Sequence, residues 1–142
     1  MGFPAGDLSV AELVGEAFGV RDATIRALLA ELEAERSRQR ADALAQKLGL
    51  RNRFQLAHLL SRDDLPSLTG LRAILRVVTC VHRWETLGSP LARQALTETR
   101  DPAAWSKAVR RTTGRCWREI RNRGARAVAT DLAARFRGGS ST

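Results

Sequence analysis

Two stretches of the chain are rich in cationic and polar residues that are candidates for the outward side of a predicted helix. The first holds Arg51, Asn52, Arg53, Gln55, His58 and Arg62, and the second holds Arg100, Ser106, Lys107, Arg110 and Arg111. Arginine suits guanine and phosphate, whereas asparagine and glutamine suit adenine. Further arginines that are predicted to hold phosphates follow the second stretch, and they are Arg115, Arg118 and Arg121. This chemistry predicts contact with nucleic acid.

Single residues in these stretches also have ordinary structural explanations. An exposed arginine is more often a solvated charge than a DNA contact, so the prediction depends on the concentration of cations around two segments. Asn52 can equally cap the helix that follows it. His58 can contact phosphate or solvent, and His82 is expected to be structural. Three tryptophans are expected in the core, and they are Trp84, Trp105 and Trp117.

The other reactive residue types form no catalytic or metal-binding pattern. The chain has two histidines and two cysteines, and Cys80 and Cys116 lie far apart without metal-ligand spacing. No Ser-His-Asp order, paired carboxylates or glycine-rich phosphate loop is present. We therefore expect no enzymatic activity, no cofactor and no metal, and we expect reduced thiols, as in a cytoplasmic protein.

Acidic and basic residues are separated along the 142-residue chain, whose net charge is +9. Residues 1–35 carry two arginines against seven carboxylates, a net of −5. The remaining residues carry 22 of the 24 cationic side chains and 8 of the 15 acidic ones, a net of +14. A cationic surface attracts polyanions, because the phosphates that it neutralises release condensed counterions. The charge predicts nucleic acid as the partner of the basic part.

Composition predicts a folded protein without a membrane span. Hydrophobic residues make up 44% of the chain, which is enough for a core. No apolar run approaches the ~18 residues that cross a bilayer, and the first ten residues lack the pattern of a secretory signal. Arginine outnumbers lysine 22 to 2. This bias suits phosphate recognition, and a GC-rich genome would explain it equally well.

The sequence predicts an all-α fold, because helix-forming residues dominate and no segment alternates at period two. The second helix is expected to start at the cap Asp22, and the polar stretch 36–40 can be its exposed end or a hinge. The run 67–87, with Pro66 at its start, is apolar nearly all round and is expected to be central. The remaining predicted helices cover residues 8–18, 41–48, 53–61, 91–97, 102–112, 116–122 and 126–136.

The acidic N-terminal segment allows two interpretations. Its second helix carries an apolar stripe formed by Ile25, Leu28, Leu29 and Leu32. The stripe can pack against the rest of the fold as a cap, or it can serve a homodimer or a protein partner. In either case the negative charge can shield the basic surface and weaken non-specific binding.

The order of short helix, turn, helix, long central helix, short helix, turn and helix forms two helix-turn-helix units. It resembles the DNA-binding domain of the AraC family of bacterial transcription regulators over residues 38–124. The first unit reads ADALAQKLGLRNRFQLAHLLSRDDLP, with an apolar face through Phe54, Ala57 and Leu60. The second contains WSKAVRRTTGRCWREIR, similar to the closing motif of the family through Trp105, Lys107, Val109, Arg110, Arg111, Gly114, Ile120 and Arg121.

Three departures concern the second unit, the first of which is the weak and slightly shifted apolar pattern of its first helix, LARQAL. The family has a Gly-aromatic pair where this chain has TETRDP, and a proline is common after the glycine where this chain has Trp117. The first unit is therefore predicted to read bases, whereas the second can serve mainly to bind the backbone.

The resemblance implies a cytoplasmic, nucleoid-associated bacterial transcription regulator that binds duplex DNA in successive major grooves. Residues 1–37 would be an acidic helical segment, 38–124 the DNA-binding domain, and 125–142 a C-terminal helix and flexible tail. The N-terminal segment is too short for a sensory domain, so no small-molecule effector is implied. Two alternatives stay open: a helical module that binds a protein partner, and an architectural protein that binds DNA non-specifically.

Overall fold

The computed structural model describes residues 8–35, 38–97 and 101–139. These residues form an all-α fold of nine helices without a strand. No helix among them is both long and apolar enough to cross a membrane. The helices are α1 (Val10–Ala17), α2 (Ala23–Ala34), α3 (Ala41–Lys47), α4 (Arg53–Arg62), α5 (Leu68–Leu87), α6 (Leu91–Thr97), α7 (Pro102–Thr113), α8 (Trp117–Ile120) and α9 (Ala125–Gly139).

Local side-chain caps explain where most of these helices begin. In each case a short polar side chain accepts a hydrogen bond from a backbone N–H group that has no partner inside the helix. Ser9 and Glu12 form a reciprocal capping box on α1. The other capping residues are Asp22 on α2, Asn52 on α4, Ser67 on α5 and Asp101 on α7.

Helix α5 lies at the centre of the fold, as its apolar sequence predicts. It contacts α1, α2, α6, α7 and α9. Helix α9 runs antiparallel to it, because Gly124 lies beside Glu85 while Phe136 shares a groove with Leu68. The buried face of α9 consists of small and branched residues, which are Ala125, Val128, Ala129, Leu132 and Ala133. Each fully buried valine or leucine contributes about 1.5–3 kcal/mol relative to an exposed one.

The N-terminal helices belong to the same core. Helix α1 contacts α2, α5 and α9. The Glu33 carboxylate of α2 accepts hydrogen bonds from the N–H groups of Val10 and Ala11, at 3.0 and 3.2 Å. The apolar stripe of α2 is buried inside the chain, with exposed fractions of 6% or less at Ile25, Leu28, Leu29 and Leu32.

Three local details differ from the sequence-based expectation. Helix α2 ends at Ala34, because Glu35 adopts an extended backbone and bonds Arg72 of α5 at 2.8 Å. Ser67 caps α5, so Pro66 precedes the helix instead of starting it. Leu87 is 76% exposed at the end of α5, where the chain turns at Gly88.

Candidate nucleic-acid interface

The first candidate unit consists of α3, a turn and α4. Gly49 adopts a left-handed φ of +80° in the turn, a conformation that costs glycine little. Leu44 and Ala45 of α3 are fully buried, and Leu56 and Leu60 form the core face of α4. The predicted apolar face through Phe54 and Ala57 is wrong, because both residues are exposed.

Two predicted adenine readers on α4 use their amide oxygens inside the chain. The Asn52 Oδ1 accepts from the N–H groups of Phe54 and Gln55, at 3.1 and 3.0 Å. The Gln55 Oε1 accepts from the Arg51 N–H at 2.7 Å. A bidentate adenine contact needs both the oxygen and the nitrogen of the amide. These two side chains therefore shape the turn in the free protein.

The cations of α4 are partly engaged as well. Arg62 lies 3.5 Å from Asp22 and 3.4 Å from Asp63. The Arg53 guanidinium stacks over the Phe54 ring, 4.9 Å from its centroid. Arg51 and His58 are exposed, and neither side chain forms a hydrogen bond or ion pair with a described residue.

The second candidate unit consists of α6 and α7. Trp105 and Val109 bury one face of α7, with 4% and 3% of their surface exposed. The opposite face carries four of the predicted contact residues, all exposed and without a side-chain partner among the described residues: Ser106, Lys107, Arg110 and Arg111. Arg100 lies outside the described residues.

The arginines after α7 that were predicted to contact phosphate differ in their exposure and in their contacts within the protein. Arg115 and Arg118 are exposed, and within the described ranges neither side chain forms a hydrogen bond or a close ion pair. Arg121 is half-buried, with its guanidinium 4.9 Å from the Trp84 ring centroid. Trp84 is itself held by an edge-on contact with Trp117 and by a 3.1 Å hydrogen bond to Asn122. Arg121 therefore serves the packing of α8 in the free protein.

The acidic N-terminal segment pairs with the basic part on several sides. Ion pairs join Glu16 to Arg126, Asp22 to Arg62, Glu31 to Lys47 and Glu35 to Arg72. None of these pairs involves the outward face of α7. The second unit thus presents more unpaired cations than the first. The sequence departures had instead favoured the first unit as the one that reads bases.

Two features of the surface were not predicted from the sequence. An apolar groove of about 550 Å³ runs beside α4 and is lined by Phe54, Ala57, Leu65, Leu68 and Phe136 among others. A smaller cleft lies behind the second unit and brings Arg135 of α9 beside Arg115. For the groove, the sequence offered one signal, which is the placement of Phe54 on a polar helix. For the cleft it offered none, because no local pattern links residues 115 and 135.

No group of three His, Cys, Asp or Glu side chains in the described parts of the chain is arranged to hold a metal ion. The arrangement offers cations and hydrogen-bond donors instead, which are the groups that bind phosphates and base edges.

Comparisons with known proteins provide no independent support for the AraC-type resemblance, which is based on the sequence motifs alone. A scan against protein-family models finds no match, and searches of the curated proteins and of the solved structures find none either. The interpretation of α3–α4 and α6–α7 as DNA-reading units therefore remains a prediction from the motifs and from the geometry described above.

Proposed function

We propose that the protein binds double-stranded DNA as a bacterial transcription regulator, with α4 and α7 as its reading helices. An α-helix fits the major groove, and its outward side chains reach base edges there. Two such helices joined by α5 would enter successive grooves about one helical turn apart. One chain would then recognise an asymmetric site.

The observation that carries this proposal is the unpaired cationic surface of α7 and of the segment after it. Five exposed cations without an intramolecular ion pair among the described residues follow one another there: Lys107, Arg110, Arg111, Arg115 and Arg118. Each phosphate that such a cation neutralises releases counterions, and the affinity rises accordingly. Trp105 and Val109 fix α7 from behind, so this face is presented outward without rearrangement of the core.

In-vitro selection from a random duplex library tests the proposal. We expect enrichment of one non-palindromic motif that spans about one to two helical turns, because two different helices read it. Enrichment of a palindrome would indicate a symmetric dimer and contradict the single-chain arrangement. Equal binding of all duplexes would favour the architectural alternative.

A protein partner is the second candidate function, and the apolar groove beside α4 favours it. Phe54 is 68% exposed at the groove, and large exposed apolar surfaces often mark interaction sites. Under this alternative the protein would form a stable complex in size-exclusion chromatography, while its binding to any duplex would stay non-specific up to micromolar protein.

A further inference from the structure

A cleft of about 260 Å³ separates the segment that follows α7 from the outer side of α9. Thr113, Arg115 and Ile120 line one wall, and Asp131 and Arg135 line the other. The Thr113 Oγ1 accepts from the Arg115 N–H at 3.0 Å and donates to the Val109 carbonyl at 2.8 Å. This hydrogen bonding fixes the turn that carries Arg115.

Gly114 makes room for the second arginine of the cleft. Its φ is +76°, and a Cβ atom at this position would lie 2.8 Å from Arg135 Nη1. The guanidinium of Arg135 therefore rests directly against the Gly114 backbone. The end of α7 and the outer side of α9 thus present one arginine each to the same space.

The carboxylates around the cleft form no close ion pair with these two arginines, although the charge of Glu119 interacts with Arg115 at longer range. Asp131 is the carboxylate that lines the cleft, and its Oδ2 already accepts from Arg123 Nε at 2.7 Å. The Glu119 carboxylate on α8 bonds the thiol and the N–H of Cys116. In the part of the chain that the structure describes, neither Arg115 nor Arg135 has a carboxylate within ion-pair distance.

We propose that this cleft binds a phosphoryl group between the guanidinium groups of Arg115 and Arg135. Arginine presents a planar fork of donors that matches phosphate oxygens, and two such forks supply charge as well as geometry. The cleft holds several water volumes of about 30 Å³, but it lies below the ~300–1,000 Å³ of sites for whole organic ligands. Its size therefore suits a phosphoryl group.

The phosphoryl group can come from the DNA backbone or from free phosphate. The first source deepens the proposed function and rests on it, because the cleft follows directly after α7 and would clamp the strand beyond the reading helix. The second source is independent of DNA. Arg135 lies on α9, outside the stretch that resembles the AraC family, so the resemblance does not assign it.

Nitrogen–proton correlation NMR of the full-length protein can observe the two guanidinium groups directly. Inorganic phosphate is added at constant ionic strength by replacing chloride. The variants Arg115→Gln and Arg135→Gln assign the two Nε–Hε resonances, because each variant lacks one of them. We expect both resonances to shift together and to saturate. Shifts that are absent, or that rise linearly without saturation, would overturn the site.

Substitutions give a second readout of the same site. Arg135→Gln should weaken phosphate binding about tenfold, because a charge-assisted hydrogen bond is removed. Gly114→Ala retains both arginines but displaces Arg135, so it should weaken binding as well. Arg38→Gln removes an exposed charge elsewhere and should leave the affinity unchanged. Equal phosphate affinities in the wild type and in these three variants would contradict the assignment of the cleft as a phosphate site.

A titration with duplex DNA, with binding followed separately by fluorescence anisotropy, distinguishes the sources. If the duplex shifts both resonances and free phosphate competes, the backbone is the source. If phosphate saturates the site and the protein binds duplex DNA without a shift of the two resonances, the ligand of the site is free phosphate. If phosphate saturates the site and the protein binds no duplex at all, the ligand is again free phosphate, and the proposed DNA-binding function is wrong. If anisotropy shows duplex binding but neither ligand moves the resonances, the DNA proposal stands and the site is wrong.

Discussion

Asn52 illustrates how one side chain on α4 serves the fold before any ligand is present. Its Oδ1 accepts two backbone hydrogen bonds and so begins the helix, while the residue lies on an exposed surface. Gln55 is similar, because its oxygen holds the Arg51 N–H. Residue type suggested a base reader at both positions and, equally, a helix cap at Asn52; the structure shows the cap, and the Gln55 oxygen also has a local structural role.

Substitutions at Asn52 separate these two roles. Asn52→Ala should lower the free energy of unfolding by about 1 kcal/mol, because the cap is removed, whereas Asn52→Asp should preserve it. The aspartate adds a negative charge to the proposed DNA surface, so it should weaken duplex binding. Urea unfolding and fluorescence anisotropy measure the two effects. Equal stability of the alanine and aspartate variants would contradict the capping role.

The Glu35–Arg72 pair is the most enclosed ion pair of the described residues, with side chains that are 11% and 12% exposed. Burial raises the pKa of Glu35, but hydrogen bonds from Arg72 and from the Gln39 N–H outweigh it and lower the pKa below its usual value. A lowered pKa in the folded state stabilises the protein above the unfolded-state pKa of about 4.3. This contribution is lost as the pH falls through the folded-state pKa.

Glu35→Gln should therefore lower the free energy of unfolding at pH 7 by about 1.5–3 kcal/mol, because hydrogen bonds to charged groups are removed. The difference from the wild type should shrink as the pH falls below about 4. Glu31→Gln in the preceding helix α2 breaks an exposed ion pair with Lys47, 3.9 Å long, and should cost at most about 0.5 kcal/mol. Denaturant titrations at several pH values measure both; a pH-independent effect of Glu35→Gln would exclude the ion pair as its source.

At the scale of elements, α4 and α7 present different surfaces. Helix α4 has cations that are paired or stacked and lies beside an apolar groove, whereas α7 has an open cationic face. The starts of α2 and α7 were predictable, because Asp22 and the Asp101-Pro102 pair are local signals. The orientation of α4 could not be predicted from the sequence, because the helix has two apolar sides. Phe54 and Ala57 lie on one side, and Leu56 and Leu60 lie on the other. Tertiary packing alone decides which side is buried.

The proposed division between reading and clamping predicts two kinds of variant. Replacing Arg53 with glutamine should change the preferred sequence, by about 1–3 kcal/mol at one or two base positions. Replacing Arg118, which lies beyond α7, should weaken all duplexes alike. Binding to a panel of single-base variants of the selected duplex distinguishes these patterns. A uniform loss for both variants would remove α4 from base reading.

At the scale of the whole molecule, the acidic N-terminal helices are part of one core and face the basic remainder. Contacts such as Asp22–Arg62 join residues that are distant in the chain. The sequence indicated the charge separation, but it could not identify these pairs, since only the tertiary fold brings Asp22, at the start of α2, within 3.5 Å of Arg62 on α4. The same holds for Gly114 and Arg135 across the cleft.

Asp22→Asn tests whether this segment moderates DNA binding. Asparagine caps helices as well as aspartate does, so α2 should keep its stability while Arg62 loses one of its two partners and keeps Asp63. We expect duplex affinity to rise about two- to fivefold, because a negative charge beside the proposed surface is removed. Glu85→Gln removes an equal charge at the far end of α5 and serves as the control. An unchanged affinity for Asp22→Asn would rule out shielding through this contact.

The salt dependence of duplex binding, measured with the α7 cations altered, tests whether the exposed face of α7 contacts DNA phosphates. The double variant Arg110→Gln/Arg111→Gln should weaken binding, and the log–log slope against salt should become shallower by about 0.9 for each phosphate that is no longer neutralised. The control Arg21→Gln/Arg38→Gln removes the same charge from two exposed arginines outside both units. We expect a shallower slope for the α7 variant alone. An unchanged affinity and slope in that variant, or equal losses in both variants, would contradict this expectation.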